Sequence, residues 1–168
     1  MNKDQEQRIY TLLDELGISY DCYQHPAVYT IEAVHQLDMD MGGCHCKNLF
    51  IRNRKGDKHY LLIVEESKRL DLKKLSQQIN SIGLSFASEE RLLKYLGLTP
   101  GAVSPFGLIH DENKEVEVLI DQDIANIDLV CFHPNVNTAT ITLSYEAFEK
   151  FLQWSGNTYS YIQVPSVE

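Results

Sequence analysis

The amino-acid sequence predicts an α+β fold with a single domain, in which helices flank a mixed, largely antiparallel central sheet. The chain has 168 residues, of which 43% are hydrophobic, enough for one domain with a hydrophobic core. Helix-like and strand-like segments alternate along it, and short turns join several neighbouring strand-like segments as hairpins. No segment rich in Gly, Ser or Pro divides the chain, so residues 1–168 are predicted to form one unit.

The helices are predicted from apolar periodicity combined with capping residues. Residues 4–16 carry apolar side chains on one face and are followed by Gly17, a typical stop. Thr30, Asp71, Ser88 and Ser144 are residue types that begin helices, and each precedes a helix-like segment. The side chains predicted to be buried are Ile9, Leu12, Leu13 and Leu16 in the first helix, Leu72, Leu75 and Ile79 after Asp71, Leu92, Leu93 and Leu96 after Ser88, and Ala147, Phe148, Phe151 and Leu152 after Ser144.

The strands are predicted from runs of β-branched and aromatic residues. Residues 48–66 contain two such runs around a polar, Gly-containing turn near 53–57, which is typical of a hairpin. Residues 98–107 contain two prolines and two glycines, which exclude a regular helix and predict a shaped loop. Further strands are predicted within residues 18–25, 84–87, 115–120, 128–134, 138–143 and 158–164, the last as an edge strand.

Composition and motifs exclude several classes of protein. The polar N-terminus lacks the apolar core of a signal peptide, and no apolar run approaches membrane-spanning length, so a soluble cytoplasmic protein with no membrane partner is expected. Cys22, Cys44, Cys46 and Cys131 are expected to be reduced thiols, because a chain of this length needs no disulfide scaffold. There is neither a GxGxxG motif after a strand nor a P-loop motif, so nucleotide-binding folds of these kinds are not supported.

The charge is distributed unevenly. The whole chain carries −9, but residues 47–74 contain nine basic and four acidic side chains. Such a local basic face on an acidic body suits a small footprint on a nucleic acid, although a solvated hairpin and helix would have the same composition. The basic side chains expected to contact nucleic acid are Arg52, Arg54, Lys55 and Lys58, with Lys68, Arg69, Lys73 and Lys74 further along.

Residues 42–48 form the first candidate site. Lys47, beside Asn48 at the start of an apolar strand, would hold a phosphate or polarise an ester carbonyl, or would simply be an exposed strand-edge lysine. Cys44, His45 and Cys46 offer soft ligands for zinc, but the C-x-C spacing is unusual for such sites, and no metal or other cofactor is expected.

Two further segments contain candidate residues. The loop from Gly101 to Gly107 would expose backbone N–H groups able to receive an ester or an oxyanion, or would be only a tight loop. At the end of a later strand, His133 is followed by Pro134 and two asparagines; the imidazole would bond a substrate, or would have a structural role.

Taken together, these motifs resemble those of the YbaK/ProX family of tRNA-editing domains. Lys47-Asn48-Leu49-Phe50, the Gly101-x-x-x-Pro105 loop and His133-Pro134-x-x-Asn137 occur in the family's order. Residues 96–108 and 132–143 look closest to the freestanding ProXp-ala type, also called PrdX. The resemblance extends from the N-terminal helix to Trp154, and it implies the family's fold.

The resemblance also implies an activity. Similar proteins hydrolyse the ester between a mischarged amino acid and the 3′ end of tRNA, and the ProXp-ala type removes alanine from proline-specific tRNA. It implies Lys47, Gly101 and His133 as catalytic residues, and Thr30, Asn48, Ser104, Pro105, Phe106, Phe132 and Asn137 as substrate-binding residues. Water would be the nucleophile, assisted by a terminal hydroxyl of the tRNA. Prolyl-tRNA synthetase and an elongation factor are the implied protein partners.

Other functions fit the same residues. Lys47, the Gly101 loop and His133 are expected to share one cleft. Such a cleft would also serve a noncatalytic module that binds a tRNA end or a regulatory ligand, or a deacylase for another small amino acid such as serine or cysteine. A thiol hydrolase based on Cys44 or Cys46 with His133, or a metal-dependent hydrolase, would also use these segments. The sequence leaves these alternatives open.

Overall fold

The computed structural model describes residues 2–24 and 44–166, and these form an α+β fold built on a mixed sheet. The described helices are α1 (Asn2–Glu15), α2 (Leu72–Gln78), α3 (Glu89–Leu96), a 3₁₀ helix (Pro105–His110), α4 (Gln122–Ala125) and α5 (Tyr145–Ser155). The described strands are β1 (Asp21–Gln24), β2 (Cys44–Arg52), β3 (His59–Glu65), β4 (Ser85–Phe86), β5 (Val116–Asp121), β6 (Leu129–Phe132), β7 (Ala139–Ser144) and β8 (Tyr159–Ile162). The helix predicted after Thr30 lies outside the described residues.

The strands are arranged in the order β1-β7-β6-β2-β3-β5-β8, and β4 pairs with β2. The pairs β1–β7, β6–β7, β2–β3 and β2–β4 are antiparallel, whereas β2–β6, β3–β5 and β5–β8 are parallel. The predicted hairpin is β2–β3, and β8 is an edge strand as expected. The fold-class prediction is therefore confirmed.

Both faces of the sheet are covered by apolar layers. We call the larger layer the first core, to which α1, α3, the 3₁₀ helix and α5 contribute, and the smaller the second core, which lies under α2. The central strand β3 alternates between them: Leu61 and Ile63 point into the first core, and Leu62 and Val64 into the second. This alternation assigns each residue of the neighbouring strands to one face.

The predicted helix caps are confirmed by their hydrogen bonds. Asp71 accepts from the backbone N–H of Lys74 at 3.1 Å, and Ser144 accepts from that of Ala147 at 3.0 Å. Ser88 likewise caps α3. These short polar side chains satisfy donors that the first helical turn leaves unpaired, which is why they mark the helix starts.

One predicted core residue is wrong. Leu93 is 60% exposed, whereas Leu92 and Leu96 are buried. Residues four apart lie on the same helix face, but the adjacent position is rotated by about 100° and leaves the apolar stripe in a helix of this length. Two short elements, α4 and the 3₁₀ helix, were also not predicted. Four to six residues form fewer than two helical turns, too few for a repeating pattern of apolar residues to be recognised.

A buried histidine fastens the β2–β3 hairpin to α3. His59 is 2% exposed and packs against Tyr95 in a tilted arrangement, with ring centroids 4.1 Å apart. It accepts a hydrogen bond from Arg91, which also donates to the carbonyl of Gly56. Burial, reinforced by the charge of Arg91, lowers the pKa of His59 to about 4. His59 is therefore neutral near pH 7 and has a structural role.

Candidate active site

The predicted site residues Lys47 and Asn48 are neighbours in β2, and their side chains point to opposite faces of the sheet. Successive residues of a strand alternate between faces. Phe50 belongs to the first core and Ile51 to the second, so Asn48 faces the first core and Lys47 the second. The two side chains therefore serve one site only if it lies at the end of the sheet, where both faces can be reached.

The ammonium group of Lys47 is held by a backbone carbonyl. Lys47 is half-buried, and its Nζ atom donates a hydrogen bond to the carbonyl oxygen of Lys68, in the turn that follows β3. The Lys68 ammonium in turn binds the carboxylates of Asp121 and Asp123. Lys68 was expected to contact nucleic acid, but its charge is engaged within the protein. The cation of Lys47 thus has a defined position before any ligand binds.

Asn48 carries a buried acceptor that has no hydrogen-bond partner in the described structure. It lies opposite Ile63 of β3 and is half-buried, yet its Oδ1 atom is inaccessible and unpaired. An unpaired buried polar atom costs about 1–3 kcal/mol, so most proteins avoid it. An unpaired acceptor on an apolar face would bind a ligand N–H group once the side chains that cover it move aside.

The Gly101 loop has a backbone conformation that favours glycine. Gly101 has a φ of 89°, which side-chain-bearing residues rarely adopt. Ala102 donates to the carbonyl of Thr99 at 3.2 Å, and Ser104, through its hydroxyl oxygen, accepts from the backbone N–H of Phe106 at 3.1 Å. Pro105 occupies the first position of the 3₁₀ helix, where its missing N–H costs nothing. The loop is consequently rigid, and the Ser104 hydroxyl serves as a helix cap.

Aromatic side chains anchor this loop in the first core. Phe106 is fully buried, packs edge-on against Phe132 with centroids 6.2 Å apart, and contacts Phe151 at 4.9 Å. Phe132 is itself buried at the end of β6. Both predicted pocket residues therefore belong to the hydrophobic core that supports the loop from beneath, and their contact with substrate stays a prediction.

The parallel pairing of β2 and β6 brings Lys47 towards His133. Cys44 lies opposite Val130, and His45 lies opposite Cys131. Lys47 follows His45 by two residues on β2, and His133 is the residue that follows β6. Lys47 and His133 are thus carried by two strands that pair directly, and their meeting in one site stays a prediction.

The turn after β6 contains His133, which a backbone carbonyl orients, and Asn135, whose backbone is left-handed. His133 is half-buried, and its Nδ1 atom lies 2.9 Å from the carbonyl oxygen of Ala139, to which Nδ1–H donates. In the neutral ring this assigns the acceptor role to Nε2. Asn135, the first of the two asparagines after Pro134 and one to which the sequence assigned no role, has a φ of 62° and a buried amide with no hydrogen-bond partner in the described structure. Asn137 is half-buried in the same turn.

The cations predicted to bind tRNA separate into two groups. Arg52 donates to the carbonyls of Asn53 and Arg54 at 3.1 and 3.0 Å, so it braces the hairpin turn. Arg54, Lys55 and Lys58 are exposed and line a surface groove of about 440 Å³. At about 3.3 Å per residue, this groove begins about 20 Å from Lys47 along β2. A nucleic acid that reached both places would extend along the sheet.

That Lys47, Gly101 and His133 line a common cleft stays a prediction. The cavities described between residues 2–24 and 44–166 lie at the hairpin tip, beside Gly17, against Trp154 and beside β5, and Lys47, Gly101 and His133 line none of these. Thr30 lies outside the described residues. Within those ranges, no group of three His, Cys, Asp or Glu side chains is placed to hold a metal ion, and no helix there is long and apolar enough to cross a bilayer.

Comparison with known proteins identifies relatives over nearly the whole chain. Residues 25–151 match the family model of the aminoacyl-tRNA editing domain. The chain is 46% identical to the prolyl-tRNA editing protein ProX of Acetoanaerobium sticklandii over 164 residues, which cover 98% of this chain and all of the relative. It is 31% identical to the prolyl-tRNA synthetase associated domain-containing protein 1 of Xenopus laevis, with 94% and 95% of the two chains covered.

The fold is shared with solved structures as well. A candidate trans-editing enzyme for prolyl-tRNA synthetase superposes with a TM-score of 0.69 at 22% identity, covering 94% of this chain and 95% of the other. At that identity the match shows the fold alone. The family predicted from three motifs is confirmed by the family model and the sequence relatives, and the chain belongs to the aminoacyl-tRNA editing domain family of aminoacyl-tRNA deacylases.

Proposed function

We propose that the protein hydrolyses the ester bond of alanine mischarged onto proline-specific tRNA, acting in trans to the synthetase. A pocket that activates proline cannot strongly exclude a smaller amino acid, because each missing methylene group changes binding by only about 1–3 kcal/mol. A second site must then remove the error. The relative that is 46% identical is named for prolyl-tRNA editing, which supports this substrate class.

The unpaired Oδ1 atom of Asn48 is the observation that carries the proposal. An amino acid esterified to tRNA has lost its carboxylate but keeps its α-ammonium, a strong donor that needs an acceptor. Asn48 offers one on the face that Phe132 shares, since Asn48 points to the same side of β2 as Phe50, and Phe50 and Phe132 both belong to the first core. An unpaired oxygen on an apolar face suits an ammonium that carries a small side chain.

The remaining groups have roles that follow from their chemistry. The Lys47 ammonium would hold the 3′ end of the tRNA and stabilise the negative charge that develops on the ester oxygen during attack by water. The rigid Gly101 loop would present backbone N–H groups to the acyl group, and the Nε2 atom of His133 would accept a proton or a hydrogen bond. The site would act in the cytoplasm on tRNA released by prolyl-tRNA synthetase or carried by an elongation factor.

A deacylation panel tests the substrate. Alanyl-, seryl-, cysteinyl- and prolyl-tRNA(Pro) are incubated with the wild-type protein, and loss of the aminoacyl ester is followed over time. Alanyl-tRNA(Pro) is expected to be hydrolysed fastest and prolyl-tRNA(Pro) to be spared. Faster hydrolysis of the seryl or cysteinyl ester would contradict alanine as the substrate, and absence of turnover on the whole panel would contradict the proposed function.

Asn48→Ala is expected to lower kcat/KM for alanyl-tRNA(Pro) by about 10–100-fold without lowering the melting temperature. The substitution removes an acceptor that the ligand uses, and in the free protein it removes a polar atom whose burial is unfavourable. Thermal unfolding and single-turnover deacylation measure the two effects. A large drop in melting temperature would mean that the amide stabilises the fold instead.

The exposed cations at the hairpin tip are expected to contribute to tRNA binding. Reversing two charges with Arg54→Glu and Lys55→Glu should weaken tRNA(Pro) binding and flatten its dependence on salt, because fewer counterions are released. Affinity is measured at several salt concentrations, with Lys150→Glu as the control, because Lys150 is an exposed lysine on α5 that lines none of the cavities at the hairpin tip. Equal affinities and equal salt slopes for the double variant and the wild type would contradict the prediction.

A further inference from the structure

A buried ion pair lies behind Lys47, at the carboxyl ends of β3 and β5. Asp121 is fully buried at the end of β5, and each of its carboxylate oxygens lies 2.9 Å from the Nζ atom of Lys68. Asp123, which is half-exposed, binds the same ammonium at 2.8 Å. Lys68 is therefore held between two carboxylates, one of them shielded from water.

The same carboxylate organises the backbone around Lys68. Asp121 accepts from the backbone N–H of Asp123 at 3.2 Å and from that of Glu65 at 3.4 Å. Lys68 closes the turn after β3 by donating its own backbone N–H to the carbonyl of Glu65 at 3.1 Å. The turn is thus tied at its side chain and at its backbone, so the carbonyl of Lys68 has a defined position.

Electrostatics keep Lys68 charged. Burial by itself lowers the pKa of its ammonium, but the hydrogen bonds and negative charges of Asp121 and Asp123 outweigh it, so the pKa lies above its ordinary value. A carboxylate buried as completely as Asp121 needs such a cation, since an unpaired buried charge is strongly unfavourable. The pair is therefore intact at neutral pH.

We propose that Asp121 and Lys68 are positioning residues for Lys47. The Lys68 carbonyl accepts a hydrogen bond from the Lys47 ammonium, so the ion pair sets the place of the cation that the proposed function directs at the tRNA 3′ end. An ammonium has three N–H donors, and one directed at a fixed carbonyl restricts where the other two point. The catalytic part of this inference depends on the proposed function, whereas the positioning of Lys47 does not.

The positioning is tested by the chemical reactivity of Lys47. Wild type and Asp121→Asn are labelled with an amine-specific acylating reagent, and each lysine is quantified by peptide mass spectrometry. The introduced amide keeps the shape of the carboxylate and can still accept from the backbone, but it lacks the charge that holds Lys68, so labelling of Lys47 is expected to rise several-fold. Asp123→Asn should cause a smaller rise because Asp123 is half-exposed, and it supplies a second reading should Asp121→Asn fail to fold.

Asp111 provides a matched control at the opposite end of β5. It is 4% exposed and accepts from the backbone N–H groups of Glu115 and Val116 and from the side chain of Asn157. Asp111→Asn should lower stability without changing the labelling of Lys47. An equal rise in Lys47 labelling in this variant would overturn the proposal, because general loosening would then explain it. Unchanged labelling in folded Asp121→Asn would overturn it as well.

Deacylation kinetics test the functional consequence. Asp121→Asn should lower kcat for alanyl-tRNA(Pro) by about tenfold or more, since small misplacements of a reacting group are costly. In a Lys47→Ala background the same substitution should cause no further loss, whereas an independent loss would overturn the proposal. Lys68→Arg, which keeps the cation, should retain most activity. Increased Lys47 labelling in a protein without deacylase activity would support the positioning and contradict only the proposed function.

Discussion

Replacement of Lys47 by alanine is expected to reduce kcat/KM for alanyl-tRNA(Pro) deacylation by about 10²–10³-fold. The substitution removes a preorganised cation, and removal of one such group from the site of developing charge typically has an effect of this size. Lys47 is half-buried and donates to a backbone carbonyl, so stability should fall by only about 1 kcal/mol.

Lys150→Ala is the control for this experiment. Lys150 is an exposed lysine on α5, and its loss should change neither deacylation nor the melting temperature by a measurable amount. Single-turnover assays with both variants separate chemistry from product release. Deacylation by Lys47→Ala within about threefold of the wild-type rate would exclude Lys47 from the reaction.

Replacement of Phe106 by alanine is expected to lower the free energy of unfolding by about 3–5 kcal/mol. The ring is fully buried and contacts Phe132 and Phe151, so its removal leaves a cavity where the first core meets the Gly101 loop. Urea unfolding at constant pH measures the change through the midpoint and slope.

Phe86 allows the same substitution at an exposed position. It is 58% exposed on the short strand β4, so Phe86→Ala should change the free energy of unfolding by about 0.5 kcal/mol or less. If Phe106→Ala costs under about 1 kcal/mol but changes the choice of amino acid, Phe106 lines the substrate pocket instead of supporting it.

Most elements could be predicted from the sequence because their signals are local. The helix starts at Asp71, Ser88 and Ser144 depend on a side chain and a backbone N–H group three residues away, and the hairpin depends on one turn. Leu93 was wrongly predicted to be buried, because its burial depends on how far the core extends around α3, and residues distant in sequence determine that extent. The three parallel strand pairs likewise join segments that are far apart in sequence.

In the candidate site, too, features with local signals could be predicted, and contacts between distant residues could not. Lys47, the Gly101 loop and His133 were found from residue types and their order, and the resemblance they carry is confirmed at the level of the family. The ion pair behind Lys47 was not predicted, because Lys68 and Asp121 are 53 residues apart and each was an ordinary charged residue in its own segment.

Local sequence patterns were enough to predict the types and starts of most secondary-structure elements, the family and the residues that carry its motifs. The tertiary structure alone decided which polar groups are already engaged: Lys68 with buried Asp121, Ser104 with its own helix, and the Asn48 oxygen with no partner in the described structure. The reason is physical. Capping and periodicity act over a few residues, whereas the cost of burying a charge or an unpaired oxygen depends on everything that packs around it.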